Sequence, residues 1–198
     1  MKGKMRAIEI TLCSMFVVLI AIGANITSIV PFFVVGGVPI TLQTFFAMLA
    51  GLLRGSRLGA ISTSAYAFIG LVGVPVFAQF SGGPGMILKP TFGFIISFII
   101  AAWVAGKMVA KKKTVPMFIA AALTATAINY LFGTNWLYFA YRFWADAPDG
   151  FTYGLAWLWM LPPLPKDIIL AVLGGLFAYR LKTTVLSKGQ FKQLNLDV

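Results

Sequence analysis

The chain has 198 residues, of which 60% are hydrophobic and 11% are charged, and its mean hydropathy is +0.91. Soluble domains carry about a quarter charged residues, so this composition excludes an ordinary soluble domain and indicates one integral membrane domain over 1–198. The net charge of +11 does not indicate nucleic-acid binding, because the basic residues lie between apolar segments and no nucleic-acid-binding motif is present.

Six apolar segments predict an all-α protein with six transmembrane helices. In chain order they cover about 7–30, 42–53, 58–71, 91–109, 115–132 and 164–181. The first segment has a basic start, like a signal peptide, but it lacks a small-residue cleavage site followed by polar sequence, so we expect it to be retained. The second and third are shorter than the roughly 20 residues that span a bilayer, which predicts non-helical backbone covered by protein or facing a cavity.

Basic residues mark alternate connections between these segments. They precede the first, join the second to the third and the fourth to the fifth, and follow the sixth; outside these groups lie Lys89, Arg142 and Lys166. The positive-inside rule then predicts that both termini are cytoplasmic and that the connections 31–41, 74–90 and 137–163 lie outside. The last connection is rich in aromatic residues, which is typical of an interfacial belt; a lid over a site is the alternative.

Polar residues gather at these outer connections. Gly36 and Gly37 permit a tight reversal, and Thr41, Gln43 and Thr44 follow near the mouth of the second helix. Thr41 or Thr44 could cap that helix. Gln43 is a poor cap whose amide needs partners if buried, so these residues could instead contact an amide-like ligand.

The second outer connection contains "GVPVFAQFSGGPGMILKPTFGF", residues 73–94. Gln79, Gly82 and Gly83 offer an amide and backbone N–H groups that could form an anion-binding nest. Lys89 is a cation directly before Pro90. Its side chain either extends to the lipid head groups or faces a ligand.

The sixth helix opens with "LPPLPKDIIL", residues 161–170. Lys166 and Asp167 are adjacent, about 100° apart on a helix, so we do not expect them to pair well with each other. Asp167 is either a favourable acid in a first turn or a group that faces a cavity.

The sequence lacks the motifs that several kinds of activity require. It contains no phosphate-binding loop, no nucleophile elbow and no histidine, and no acid at the centre of a predicted span. These absences argue against ATP hydrolysis, serine hydrolysis and proton coupling within the chain. An intramembrane enzyme that uses Asp167 or Lys166 would need a second catalytic group. We therefore expect a transport protein, not an enzyme, whose energy comes from a partner.

The stretches "GGVPITLQTF", "GLVGVPVFAQFSGGPGMILKPTFGFIISF" and "LPKDIILAVL", in this order, closely resemble the BioY family, the biotin-specific substrate-binding subunits (S components) of energy-coupling factor (ECF) transporters. The resemblance covers about residues 8–182. The chain departs from the family pattern at "PTFG", where "PTGG" is common, and at Leu170, where a lysine is common.

The resemblance implies a multi-pass protein of the bacterial cytoplasmic membrane that captures biotin from outside with high affinity. It would dock onto a transmembrane coupling subunit that carries two cytoplasmic ATPase subunits, with small residues of the first helix in the docking face. No cofactor is implied; biotin is the transported ligand. An S component for another vitamin, such as thiamine or riboflavin, is the alternative.

The resemblance and the chemistry of biotin together suggest a set of ligand-binding residues. The ureido ring would meet Asp167, Gln79 or Gln43, and the apolar bicycle would lie against aromatic side chains including Trp136. The carboxylate would meet Lys89 or, as the rival, Lys166. The complete predicted set is Thr41, Gln43, Tyr66, Phe77, Gln79, Lys89, Phe92, Lys166 and Asp167.

Overall fold

The computed structural model describes residues 5–26, 34–35, 38–39 and 41–186. Six α-helices account for most of them. They are α1 (Ala7–Asn25), α2 (Gln43–Val72), α3 (Phe92–Lys111), α4 (Val115–Phe143), α5 (Tyr153–Leu158) and α6 (Leu164–Arg180). Two-residue strands, β1 (Val34–Val35) and β2 (Val38–Pro39), pair antiparallel before α2, and 3₁₀ turns at Ala78–Phe80 and Pro84–Leu88 lie between α2 and α3.

The helix α2 is a hairpin rather than a rod. Its backbone is non-helical at Gly55, where φ is +76°, a conformation that side chains with a Cβ rarely adopt. The two arms, 43–54 and 56–72, run back alongside each other, so that a Cβ on Gly59 would overlap the backbone of Gly51. The sequence predicted two helices at 42–53 and 58–71 with a loop between them; the structure reduces that loop to one bend.

Small residues allow the helices to approach closely. A Cβ on Gly51 would overlap the Ala102 carbonyl of α3, and one on Gly106 would overlap the backbone at Gly55 and Ser56. The glycines at 51, 55 and 59 therefore serve packing and the bend within one chain. Alanines of α3, α4 and α6 continue this packing into the core, including Ala101, Ala105, Ala121, Ala122, Ala125, Ala171 and Ala178.

The basic connections meet at one end of the bundle. The bend of α2 packs on the end of α3 at Gly106, and the Phe118 ring near the start of α4 contacts Tyr179 near the end of α6. Lys182 lies within electrostatic reach of Lys113 and Arg54. The opposite end is formed by the starts of α2, α3 and α6 and the middle of α4. We call these the basic end and the pocket end.

One predicted helix boundary is wrong, and another falls partly outside the described residues. The fifth predicted helix, 115–132, continues to Phe143 as α4, because Gly133, Thr134, Leu137 and Ala140 are buried at helical spacing. The aromatic residues of this stretch masked that periodicity. The first helix, predicted to reach residue 30, ends at Asn25; residues 27–30 lie outside the described residues, as do Gly36 and Gly37.

Four helical segments in the described ranges are long and apolar enough to cross a membrane. They are Ala7–Asn25, Phe92–Lys111, Val115–Phe143 and Leu164–Leu186, the last joining α6 to a final π-helical turn. The two arms of α2, with 12 and 17 residues, are shorter than these four segments. Across residues 5–26 and 41–186 the structure is helices and connections, with the two-residue strand pair before α2. The apolar helices indicate a multi-pass membrane protein.

Candidate binding site

A cavity of about 140 Å³ opens at the pocket end. Its walls come from the start of α2, the connection between α2 and α3, the first turns of α3 and α6, and the middle of α4. The residues that line it are Thr41, Gln43, Thr44, Phe77, Ala78, Gln79, Ser81, Met86, Lys89, Thr91, Phe94, Ile95, Phe98, Asn129, Tyr130, Met160, Pro163, Lys166 and Asp167.

The first turn of α6 supplies an anchored acid to this cavity. The Tyr130 hydroxyl donates to Asp167 Oδ2 over 2.7 Å, and Lys166 Nζ lies 2.8 Å from Asp167 Oδ1. Lys166 also donates to the Thr41 carbonyl over 2.6 Å. The expectation that Lys166 and Asp167 would not pair well was wrong, because their charged atoms form a direct ion pair. Both Asp167 oxygens are therefore held in fixed directions while keeping lone pairs for a ligand.

The first turn of α2 supplies a buried amide. Gln43 Nε2 donates to the Tyr66 hydroxyl over 2.6 Å, and that hydroxyl donates to the Val76 carbonyl over 3.0 Å. The Thr41 hydroxyl donates to Gln43 Oε1 over 3.1 Å. Gln43 is only 7% exposed, so these partners satisfy a side chain that would be costly to bury alone. They also fix which end of the amide faces the cavity.

Asn129 of α4 forms a second polar group in the cavity wall. Its Nδ2 donates to Ser97 Oγ over 2.6 Å and to the Phe94 carbonyl over 3.2 Å. Its Oδ1 accepts from the Thr44 hydroxyl over 3.2 Å. These hydrogen bonds join α4 to α2 and α3, and the same residue also lines the cavity.

Aromatic side chains form the apolar side of the cavity. Phe77 lines it directly and is 1% exposed. Edge-to-face contacts join Phe77 to Tyr66 (ring centroids 5.4 Å apart) and to Phe92 (6.5 Å), and Phe92 to Trp136 (6.3 Å). Tyr66 and Phe92 do not line the cavity but pack against Phe77 and hold its ring in place. Trp136 packs against Phe92 in turn.

The connection between α2 and α3 forms the open rim. Gln79, Ser81 and Lys89 line the cavity from this side, and Ser81 Oγ donates to the Ala78 carbonyl over 2.7 Å. Lys89 is exposed and has no ion pair with any described residue. Lys166, by contrast, is already paired, so Lys89 is the cation with more freedom to meet an anionic ligand group.

The cavity brings together seven of the nine predicted residues. Tyr66 and Phe92 contact it through Gln43 and Phe77, as described above. The sequence prediction did not include Asn129, Tyr130, Met160 or Pro163. Asn129 and Tyr130 carried a signal, because polar side chains inside an apolar helix face protein or a cavity. Met160 and Pro163 carried none, since they lie at the end of a long aromatic connection.

Comparisons with known proteins agree on one family. Residues 1–187 match the sequence model of the BioY family. The chain is 45% identical over 172 residues to the BioYB protein of Bacillus subtilis (strain 168), covering 86% of this chain and 85% of the relative. It is 33% identical over 167 residues to the biotin transporter BioY of Thermotoga maritima, covering 84% and 91%.

A solved structure shares the fold. It is the crystal structure of the S component for biotin from an ECF-type ABC transporter, and it superposes with a TM-score of 0.75. The match covers 96% of this chain and 98% of that chain at 24% sequence identity. The relatives are described by their names as transporters and not as enzymes.

Proposed function

Because the chain belongs to the BioY family, we propose that it captures biotin outside the cell and is the S component of an ECF-type transporter. The observation that carries this proposal is the convergence of Gln43, Gln79, Lys89 and Asp167 on one cavity. These polar and charged residues lie far apart in the sequence and meet there.

The chemistry of the cavity suits the parts of biotin. The ureido N–H groups need acceptors, which the Asp167 carboxylate offers, and the ureido carbonyl needs a donor, which the Gln79 amide or the second N–H of the Gln43 amide offers. Phe77 and its aromatic support suit the apolar bicycle. Lys89 at the rim suits the carboxylate at the end of the flexible tail. Buried polar groups reject analogues that leave them unpaired.

The position of the cavity supports capture from outside. It lies at the end of the bundle opposite the basic residues, and basic residues favour the cytoplasmic side. We propose that α1, the two arms of α2, α3, α4 and α6 are the six membrane-spanning segments in the bacterial cytoplasmic membrane. Both termini then lie inside.

Energy for uptake would come from partner proteins. The sequence contains no phosphate-binding loop, and no acid lies at the centre of a helix in the described part of the chain. We propose a transmembrane coupling subunit and two ATPase subunits as partners, in keeping with the ECF context of the structural relative.

Isothermal titration of the detergent-solubilised chain tests the proposal. We expect a nanomolar dissociation constant for biotin, equal to about −12 kcal/mol. Replacing Asp167 with Asn should weaken binding about tenfold to a hundredfold, because a charged acceptor held by Tyr130 and Lys166 is lost. The matched variant Asp146→Asn, an exposed acid away from the cavity, should bind as the wild type does.

Titrations with thiamine and riboflavin test the ligand class. Tight binding of either vitamin, with no heat from biotin, would contradict the proposed ligand while retaining the architecture. Absence of binding for all three would overturn the capture function.

A further inference from the structure

Two consecutive residues next to the cavity adopt an unfavourable backbone conformation. Gln79 and Phe80 have φ angles of +60° and +51°. Residues with a Cβ enter this left-handed region at a cost, and they stay there only when surrounding contacts impose it. The conformation matters because Gln79 and Ser81, on either side of Phe80, both line the cavity.

A side chain from α1 supplies the contact. Asn25, the last residue of α1, is 8% exposed, and its Oδ1 accepts from the Phe80 backbone N–H over 2.7 Å. Its Nδ2 donates to the Ala21 carbonyl over 3.0 Å and to the Val76 carbonyl over 3.4 Å. Asn25 thus forms hydrogen bonds to the backbone at Val76 and at Phe80, on both sides of Gln79.

The Val76 carbonyl connects Asn25 to the polar wall of the cavity. The Val76 oxygen also accepts from the Tyr66 hydroxyl, which in turn accepts from Gln43. A hydrogen-bonded chain therefore runs from Asn25 through Val76 and Tyr66 to Gln43. The segment 76–81 is closed further by the Phe77 N–H, which donates to the Ser81 carbonyl over 3.0 Å.

We propose that Asn25 is a positioning residue for ligand binding, holding residues 79 and 80 in the left-handed conformation so that Gln79 and Ser81 face the ligand. Asn25 does not line the cavity and acts through the backbone. This inference rests on the proposed capture of biotin. It implies that replacing Asn25 changes the rim of the cavity from a distance and weakens ligand binding.

Hydrogen exchange of the ligand-free protein tests whether Asn25 holds the backbone at Phe80. In Asn25→Ala the Phe80 amide loses its acceptor, so exchange in a peptide covering 76–83 should be faster than in the wild type. The control is Thr11→Ala, whose hydroxyl on α1 bonds only the Ala7 carbonyl of the same helix. Equal exchange in Asn25→Ala and the wild type would overturn the inference.

Biotin titration tests the link to the site. Asn25→Ala should weaken binding about tenfold, because the segment that carries Gln79 loses the hydrogen bond to the Phe80 N–H, while Thr11→Ala stays within twofold. The double variant Asn25→Ala/Phe80→Gly should recover much of the loss, because glycine adopts positive φ without the cost that Phe80 bears. Phe80 is 64% exposed and does not line the cavity, so this rescue does not come from a new ligand contact.

Three outcomes separate the possibilities. Faster exchange in Asn25→Ala with unchanged affinity would overturn the positioning role. Weaker binding that Phe80→Gly does not restore would also overturn it, since a general loss of folding would give that result. A wild-type protein that binds no biotin would refute the proposed function, and the exchange comparison would then decide alone whether Asn25 holds the segment.

Discussion

At the scale of single residues, Lys89 and Lys166, the two candidate cations at the cavity, differ in the partners that they already have. Lys166 is joined to Asp167 and to the Thr41 carbonyl, and its side chain is 32% exposed. Lys89 lies on the exposed rim without an ion pair to any described residue. A lysine without such a pair can meet a ligand carboxylate without breaking one. We therefore propose that Lys89 meets the ligand carboxylate and that Lys166 orients Asp167.

Replacing Lys89 with Gln tests this assignment. We expect biotin affinity to fall about tenfold to a hundredfold, because one charge-assisted contact is lost, while the affinity for biotin carboxamide changes by less than about twofold. Isothermal titration with both ligands measures the difference. Equal losses for the two ligands would remove Lys89 from this role.

Lys166→Gln provides the contrast. That change frees Asp167 and Thr41 as well, so it should weaken both ligands alike. Arg142→Gln, an exposed change whose guanidinium bonds Tyr138, should leave both affinities unchanged.

At the scale of elements, the bend in α2 decides how the bundle is assembled. Gly55 alone provides the positive φ at that bend, and α3 packs against it through Gly106. Because the two arms start and end at the same side, Gln43 and Tyr66 come within hydrogen-bonding distance despite their separation in sequence. The bend thereby creates part of the cavity wall at the far end of the hairpin.

Replacing Gly55 with Ala should destabilise the protein. A Cβ at this φ costs about 1–3 kcal/mol of unfolding free energy. Titration with a denaturing detergent, followed by tryptophan fluorescence, measures the change. Gly85→Ala is the matched control, because a Cβ there would meet no atom within 4 Å and its φ is not positive. Equal losses in the two variants would contradict a special role for the bend.

Element prediction succeeded where hydrophobic periodicity was uninterrupted. The sequence placed α3 and α6 within two residues of their observed ends. It missed the last turns of α4, since aromatic residues such as Trp136 and Tyr141 are equally typical of an interfacial belt. It separated the arms of α2, because Arg54 and Arg57 resemble a solvated loop although Arg54 is only 6% exposed.

At the scale of the whole molecule, the sequence predicted more of the site than of its support. Charges are so rare at the predicted outer connections that Lys89, Lys166 and Asp167 stood out, and all three line one cavity. The hydrogen bonds that orient them depend on rotamers and helix crossings, which no spacing in the sequence encodes. The ion pair of Lys166 with Asp167 and the hydrogen bond of Asn25 to the Phe80 N–H are two such interactions.

The proposed orientation in the membrane can be tested with single cysteines. In a Cys13→Ser background, Asp149→Cys should react with an impermeant maleimide added to intact cells. Lys112→Cys should react only after the cells are opened. Both positions are exposed, so reactivity reports the side of the membrane and not burial. Labelling of Lys112→Cys in intact cells would contradict the proposed orientation.

The shortness of the first α2 arm has a consequence for transport distance. Its residues 43–54 rise roughly 18 Å along the helix, whereas the hydrocarbon layer is about 30 Å thick. With the Gly55 bend near the inner surface, as proposed, a vitamin seated beside Gln43 already rests below the outer boundary of that layer. The transporter would then need to carry its cargo across little more than half of the barrier.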